Sequence, residues 1–562
     1  MSQTKKSGWT RRAALSAGGL GVLGSASCAP KIAARAQTQT DGPFGLGIAS
    51  GDPLQTRVIL WTAVSGGGGE VTWQIAPDEK FEIITNSGTV PVAAGELVPV
   101  KVDVDGLVAG TVYFYRFVRD GVPSETGRTK TLPTGDVRQI SLAVVSCSNH
   151  PAGYFHSYAH LAQAEPVDAV LALGDYIYEY GLGGFATDDA EALGRVPEPV
   201  HECISYADYA MRYAQYHRDP DLQAAHKVAP WIMTWDDHET ANDSWNGGAQ
   251  NHDPATEGNW AAREAASLRA FYDWTPSREP AQGQPRSAFW RSFDFGNLAR
   301  VTMLETRLSG RSEQITFEQF PVPVDADPKD KTVQAKIRAF EQDVLGQKDR
   351  RMLGDAQAAF VAETLQSSVI SGQAWQILGN QCLFAELRSP DYMAGLPKWL
   401  TWLTKRKSAL YYEYFQRSRL NPLLNLDAWD GYPAARERLY DKVKAASANL
   451  LVVTGDTHDF TASTLRDQAG TKVGIELGTS GVSSPGNFSG LTAPGVNFGK
   501  LTEDHNPDIL LHDTVTTGYI RMQITRDQVL ADYISTSSVK LPNWSAKIGY
   551  QFAISKAGIK RV

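Results

Sequence analysis

Four apolar runs in this chain stop at the same kind of residue, and this constrains the fold more than any other feature. Ile140 to Val145 leads into Ser146-Cys147-Ser148-Asn149-His150, and Val167 to Leu173 into Gly174-Asp175-Tyr176-Ile177-Tyr178-Glu179. Val228 to Trp235 leads into Asp236-Asp237-His238-Glu239, and Leu450 to Thr454 into Gly455-Asp456-Thr457-His458. Short apolar runs bounded by Gly, Ser and Asp read as strands buried on both faces. Loops that leave the carboxyl ends of such strands gather at one crevice, so four endings can converge on one site. A single strand-end Asp is ordinarily a helix cap; four endings carrying sulfur, oxygen and nitrogen donors are not explained by capping.

The rest of the pattern sets these strands in a layered domain. Tyr154 to Ala164 has helical periodicity and joins the first two runs into a β-α-β unit. Further strands are expected at Leu298 to Leu304 and Trp375 to Leu378, and helices at Trp260 to Asp273, Asp355 to Leu365 and Tyr432 to Ser447. Residues 138–540 therefore read as an α/β domain, with insertions at 309–350 and 387–430 whose architecture the pattern leaves open. Ahead of it, residues 43–135 hold short β-runs: Arg57 to Thr62, Gly69 to Ala76, Pro99 to Val104 and Thr111 to Arg119. The last alternates Val112, Phe114, Arg116 and Val118 with Tyr113, Tyr115 and Phe117, which predicts a small all-β domain resembling an immunoglobulin-like or fibronectin-like sandwich. Gly66 to Gly69 lacks the Lys-Ser/Thr and helix of a phosphate loop and reads as a hairpin tip. Residues 541–562 are amphipathic and basic at their end, and are expected to form a tail or capping helix lying across the site.

A chain of 562 residues exceeds one ordinary core, and 42% hydrophobic with 21% charged residues is the balance of a globular enzyme. The formal charge is −8, but residues 1–36 contribute six cations (Lys5, Lys6, Arg11, Arg12, Lys31, Arg35) and no anion, which leaves −14 on the remainder. Such a body repels nucleic acid and anionic lipid at long range, so a polyanion-binding role, specific nucleic-acid binding included, is not expected. Residues 1–36 read as a twin-arginine signal: Thr10-Arg11-Arg12-Ala13-Ala14-Leu15, a weakly apolar Gly/Ala stretch and Ala34-Arg35-Ala36 as a cleavage site. The implied partner is the twin-arginine export machinery, and the implied location is the periplasm or the outside of the cell. No stretch reaches spanning length, so no transmembrane anchor is expected in the mature form. A lipid anchor at Cys28 is disfavoured by Ser25, where such signals carry Leu. Cys147, Cys203 and Cys382 remain, an odd and widely spaced set in which at least one thiol should be free.

Gly-Asp, Asp-His and Asp-x-His after successive strands resemble the ordered motifs of metallophosphoesterases, with Asp236-Asp237-His238-Glu239 where that superfamily has Gly-Asn-His-Glu. More specifically, the chain resembles the PhoD family of alkaline phosphatases and phosphodiesterases. The resemblance rests on Gly47-Ile48-Ala49-Ser50-Gly51-Asp52-Pro53, Leu60-Trp61-Thr62, Ser146-Cys147-Ser148, the Gly174 to Glu179 and Trp235 to Glu239 segments, Trp429-Asp430-Gly431-Tyr432 and Thr454 to His458. It implies a β-sandwich core flanked by helices, hydrolysis of phosphate monoesters or diesters, and a centre of Fe3+ and Ca2+. The donor types are consistent with it. Cys147 thiolate, Tyr178 phenolate and His458 imidazole suit iron(III), and Asp175 can bridge to a second ion. Asp237, Asp456 and Asn242 are hard oxygen donors that suit calcium. His238 fits a general acid for the leaving oxygen in metal-activated in-line attack, its ring held by Asp236 or Glu239.

Weaker readings stand beside these. Cys147 is also explicable as a buried small hydrophobe and Tyr178 as a packed aromatic. Arg307 is either a bidentate phosphate clamp or a surface salt bridge. Glu305 stands where the family pattern has Asp, which leaves its role open, and Asn380 and Gln381 are candidates to reach the centre through amide oxygens. His201 and Cys203 have no zinc partner at matching spacing and read as a loop; His217 and His226 are assigned nothing. The substrates expected are small-molecule, lipid or nucleotide phosphate esters. The competing functions are phosphodiesterase or phospholipase D-like activity on the same centre, and a non-catalytic exported binding protein.

Overall fold

The computed structural model describes residues 42–562, apart from 487 and 490–495. The leader at 1–36 and Cys28 lie outside the described residues. Two mixed sheets face each other across the main core. One has ten strands and the other seven. In the first, Gln139–Val145, Ala169–Ala172 and Trp231–Met233 run parallel. In the second, Ala299–Met303, Trp375–Gly379, Leu450–Thr454 and Lys472–Gly478 run parallel. Leu142, Val144, Leu171 and Ile232 from the first sheet meet Val301, Ile377, Val453 and Leu477 from the second in one buried cluster. This explains the uninterrupted apolar runs: each strand has the opposite sheet on one face and helices on the other.

The outer face of the ten-stranded sheet is covered by His156–Gln163, Tyr206–His217, Pro220–Val228 and Trp260–Trp274, whose apolar residues share a cluster with Ala143, Val145, Val170 and Trp231. Asp355–Ile370 and Pro433–Ala446 cover the other sheet. Helix starts follow local chemistry. Ser205 and Asp208 form a reciprocal capping box on Tyr206–His217, and Asp219 with Pro220 opens the next helix. The expected arrangement of a β-sandwich flanked by helices is what the chain forms.

Two features differ from expectation. The first domain is all-β, and Val71, Ile75, Tyr115 and Phe117 pack against Val58, Leu60 and Val100. One of its layers, however, is not its own: Ile48–Gly51, Val58–Ser65 and Leu97–Val104 continue the ten-stranded sheet, joined where Gly51 pairs in parallel with Trp231. The second difference is a correction at the C-terminus. Residues 541–562 do not form a capping helix; Ala546–Ser555 and Gly558–Arg561 are antiparallel strands that end the same sheet. Phe552, Ala553 and Ile554 are buried at the inner end of the first of these while Lys547 and Ile548 are exposed, a gradient along a strand at the sheet edge that an amphipathic reading took for a helical stripe. This segment is the outer hairpin of the sheet edge, and Trp544 ahead of it stacks on His156 at 5.2 Å between ring centroids.

Candidate metal centre

All the parallel strands release their loops at one end of the sandwich, and hydrogen bonds tie those loops together across the two sheets. Thr234, following Trp231–Met233, donates its hydroxyl to Leu304 O at 3.0 Å and accepts Gln381 Nε2 at 2.8 Å. Gly455 N donates to Gln381 O, and Val482 N to Ser146 O. Glu239 accepts the backbone N–H groups of Asp175 (3.1 Å), Tyr176 (2.5 Å) and Asp236 (2.7 Å), so one carboxylate clamps two strand endings. Gly174 is forced by this proximity. Its φ is 102°, and a Cβ there would lie 2.4 Å from both the Cβ and the N of Asp236.

Within this frame Cys147, Asp175 and His458 place sulfur, oxygen and nitrogen atoms within 4.8 Å of one another. Tyr178 joins them, its hydroxyl 2.9 Å from Asp175 Oδ2, 3.0 Å from His458 Nε2 and 2.7 Å from Ser484 Oγ. His458 Nδ1 meets the Pro485 carbonyl at 3.0 Å, which fixes the tautomer and turns Nε2 inward. Asp175, Asp237 and His238 form a second cluster, and Asp236, Asp237 and Asp456 a third, so the sites share Asp175 and Asp237. Cys147, Asp175, Asp456 and His458 all have positive φ, between 52° and 64°. Non-glycine residues avoid that region, and four such residues facing one point indicate a backbone strained to aim side chains.

Burial and crowding set the charge state. Burial, then the Asp175 carboxylate, push both the Cys147 thiol and the Tyr178 phenol well above their ordinary range. Burial and Asp236 do the same to Asp456. Asp237 goes the other way: burial would raise it, but the Arg307 guanidinium and His238 hold it down at about 2. His238 is pulled up against its burial by Asp237 and Glu179. Asp175 Oδ1 and Asp237 Oδ1 are buried without a hydrogen-bond partner. Unpartnered buried carboxylate oxygens are costly, and a thiol and phenol among carboxylates ionise readily only beside a cation. The donor set therefore fits metal ions.

The other predicted residues fall as follows. His238 Nδ1–H donates to Glu179 Oε2 at 2.8 Å, and the ring stacks on Tyr178 at 4.3 Å between ring centroids. Its ring is held by Glu179, not by Asp236 or Glu239, which are engaged with Arg307 and with backbone N–H groups. Asn242 binds Glu179 through its backbone N–H and Gln250 through Nδ2. Arg307 is fully buried, which rules out the surface salt bridge. Its Nε binds Asp236, Nη1 meets Asp427 at 2.7 Å, and Nη2 faces Asp456 at 3.3 Å and Asp237 at 3.6 Å. With its nitrogens turned to carboxylates, Arg307 is arranged to balance charge and not to clamp phosphate. Asn380 and Gln381 do not reach the centre: Asn380 bonds Trp429 and Cys382 O, and Gln381 bonds Thr234, Leu304 O and Thr306.

The role left open for Glu305 is visible here, and Asp427, Ser484 and Pro485 were missed. Glu305 accepts from Arg307 N, Leu308 N and Ser309 N and from Trp235 Nε1, so it fastens the loop that carries Arg307. Asp427 pairs with Arg307 and Arg311 just ahead of the Trp429-Asp430-Gly431 motif. Ser484 and Pro485 come from a further strand ending, after Lys472–Gly478; the Gly-, Ser- and Thr-rich run following that apolar strand was the available signal. His201 and Cys203 lie in a loop, as expected, and Cys147, Cys203 and Cys382 are free and buried.

Comparison with known proteins decides the family. The model of the PhoD-like phosphatase matches residues 142–533, and that of the PhoD-like phosphatase N-terminal domain matches residues 27–133. The chain belongs to the PhoD-like phosphatase family. It is 32% identical over 540 residues to alkaline phosphatase D of Bacillus subtilis (strain 168), covering 92% of this chain and 82% of that protein. Its fold matches a solved structure described as the structure of PhoD with a TM-score of 0.72 at 29% identity, over 95% of this chain and 93% of the other. It is accordingly a phosphoric ester hydrolase. Among the described residues, no helix is long and apolar enough to cross a membrane.

Proposed function

We propose that this PhoD-like phosphatase is an exported hydrolase of phosphate monoesters and diesters that works with iron(III) and calcium. Cys147, Asp175, Tyr178 and His458 are the residues that would hold iron(III), since thiolate, phenolate, carboxylate and imidazole together suit a trivalent ion. Asp237 and Asp456 would hold calcium, with Asn242 keeping Oδ1 for the same ion while Gln250 engages Nδ2. The observation that carries this reading is the pair of buried oxygens without a hydrogen bond on Asp175 and Asp237, the two carboxylates shared between clusters. When bound, the ions supply Lewis-acid neutralisation of the phosphoryl oxygens.

The chain's own residues supply the rest. His238, fixed through Nδ1 by Glu179, offers Nε2–H as the proton donor to the leaving oxygen. Asp237 and Glu179 favour its protonated form, which is the form an acid must start in. Arg307 offsets part of the negative charge of Asp236, Asp237, Asp427 and Asp456 and keeps them apart. The Arg11-Arg12 leader supports twin-arginine export to the periplasm or beyond.

The same residues serve a monoester and a diester, so turnover of a nitrophenyl phosphate is to be compared with that of its bis(nitrophenyl) counterpart. Hydrolysis of at least one, lost in Asp175→Asn, is the expected result. A folded, metal-loaded protein that hydrolyses neither would contradict the assignment and favour a binding role.

A further inference from the structure

The insertion at 387–430 builds a small helical unit on the strand-end side of the fold. Its centre is an aromatic cluster of Tyr392, Leu396, Leu400, Phe415, Phe488 and Phe498. One of its helices, Lys398–Lys407, reads Lys-Trp-Leu-Thr-Trp-Leu-Thr-Lys-Arg-Lys. Leu400 and Thr404 are buried against the unit. Lys398, Trp399, Trp402, Lys405 and Arg406 are exposed, and their spacing places them together on the opposite face. Trp399 is 56% exposed and Trp402 59%, and they are the exposed tryptophans among the described residues. The helix already has an apolar side in the core, so these two indoles contribute nothing to folding by facing outward, and water around them is unfavourable.

Charge singles out the same face. From 398 to 407 the sequence has four cations (Lys398, Lys405, Arg406, Lys407) and no anion, within a chain whose residues beyond 36 sum to −14. The Arg406 guanidinium lies 4.9 Å from the Trp402 ring, so cation and indole form one amphipathic surface. We propose that this face docks the protein on the anionic headgroup surface of a phospholipid bilayer. Tryptophan settles at interfacial depth, and flanking Lys and Arg meet lipid phosphates while their stems stay against apolar surface. The acidic remainder of the molecule is repelled by the same surface, which selects this one orientation.

The docking face is physically joined to the metal centre. Phe488, in the cluster beneath the helix, follows Ser484 and Pro485, which contact Tyr178 and His458. Docking therefore brings the loop that borders the centre next to the membrane. The binding itself does not depend on which ester is hydrolysed.

The test is sedimentation of the full chain with vesicles of phosphatidylglycerol and phosphatidylcholine, against vesicles of phosphatidylcholine alone. Two variants are compared, Trp399→Ser/Trp402→Ser and Lys398→Glu/Lys405→Glu/Arg406→Glu. Circular dichroism and nitrophenyl phosphate turnover, expected to be unchanged, establish that each folds. The wild-type chain should bind only the anionic vesicles, and each variant at least tenfold more weakly. Absence of wild-type binding, or variants that bind as well as the wild type, would overturn the proposal. So would full binding by the tryptophan variant with displacement by polyglutamate, which would mark the face as a site for acidic polymers.

Discussion

His238 and Glu179 show how much of the proposed chemistry rests on one hydrogen bond. An acid matters most when the departing group is a poor one, because nitrophenolate leaves without a proton while an alkoxide does not. His238→Gln is therefore expected to lower kcat/KM by about 10²- to 10³-fold on an alkyl phosphate and by about tenfold or less on nitrophenyl phosphate. Equal losses on both would assign His238 to binding or metal ligation. The types and positions of the central donors were legible in the sequence because each ends an apolar run. Their partners were not. Glu179 had to be told apart from Asp236 and Glu239 by direction alone, and sequence carries no direction. Arg307 stood open between a phosphate clamp and a surface salt bridge, since a buried arginine facing four carboxylates leaves no local trace. The positive φ at Cys147, Asp175, Asp456 and His458 is equally invisible, because none of them is glycine.

At the scale of elements, the turn after each strand matters as much as the donor it presents. Gly174→Ala forces a Cβ against Asp236 at a φ of 102°. A cost of about 2–4 kcal/mol follows from the strain and overlap, with a matching fall in the urea midpoint. Activity should fall further than stability explains, because Asp175 and Asp236 move together. A variant with wild-type stability would show that the two endings are not in contact. On Lys472–Gly478, Glu476 is buried and accepts from Phe384 N and Ala385 N, and burial lifts its pKa to about 7. The folded state thus holds this proton more tightly than the unfolded chain. Its contribution is fully present below the ordinary carboxylate range and is lost as pH rises through about 7. Glu476→Gln should flatten the decline in the urea midpoint between pH 5 and 8; an unaltered slope would mean Glu476 does not titrate there. The strands themselves were legible from apolar runs. The C-terminal hairpin was not, because residues 546–555 are partly exposed at a sheet edge and are buried in one block at 552–554 without alternation.

For the whole molecule, two sheets, a shared strand-end face and two flanking helix layers exist to bring distant residues to one point: Cys147 and His458 are 311 positions apart, as their numbers show. The layered core was legible, since strands buried on both faces leave a strong signal. The continuation of the first domain's layer into the main sheet was not, because one parallel pairing at Gly51 and Trp231 leaves no mark on either segment's composition. The central claim is that this convergence makes a metal centre that hydrolyses phosphate esters, and metal content measured together with activity tests it most directly. Elemental analysis of the protein should find iron and calcium bound to the chain, with a visible absorption band from thiolate or phenolate on iron(III) that changes or disappears in Cys147→Ala. Chelation should remove calcium and activity together, and added calcium should restore both. A colourless protein, free of iron and calcium yet fully active on phosphate esters, would contradict the account.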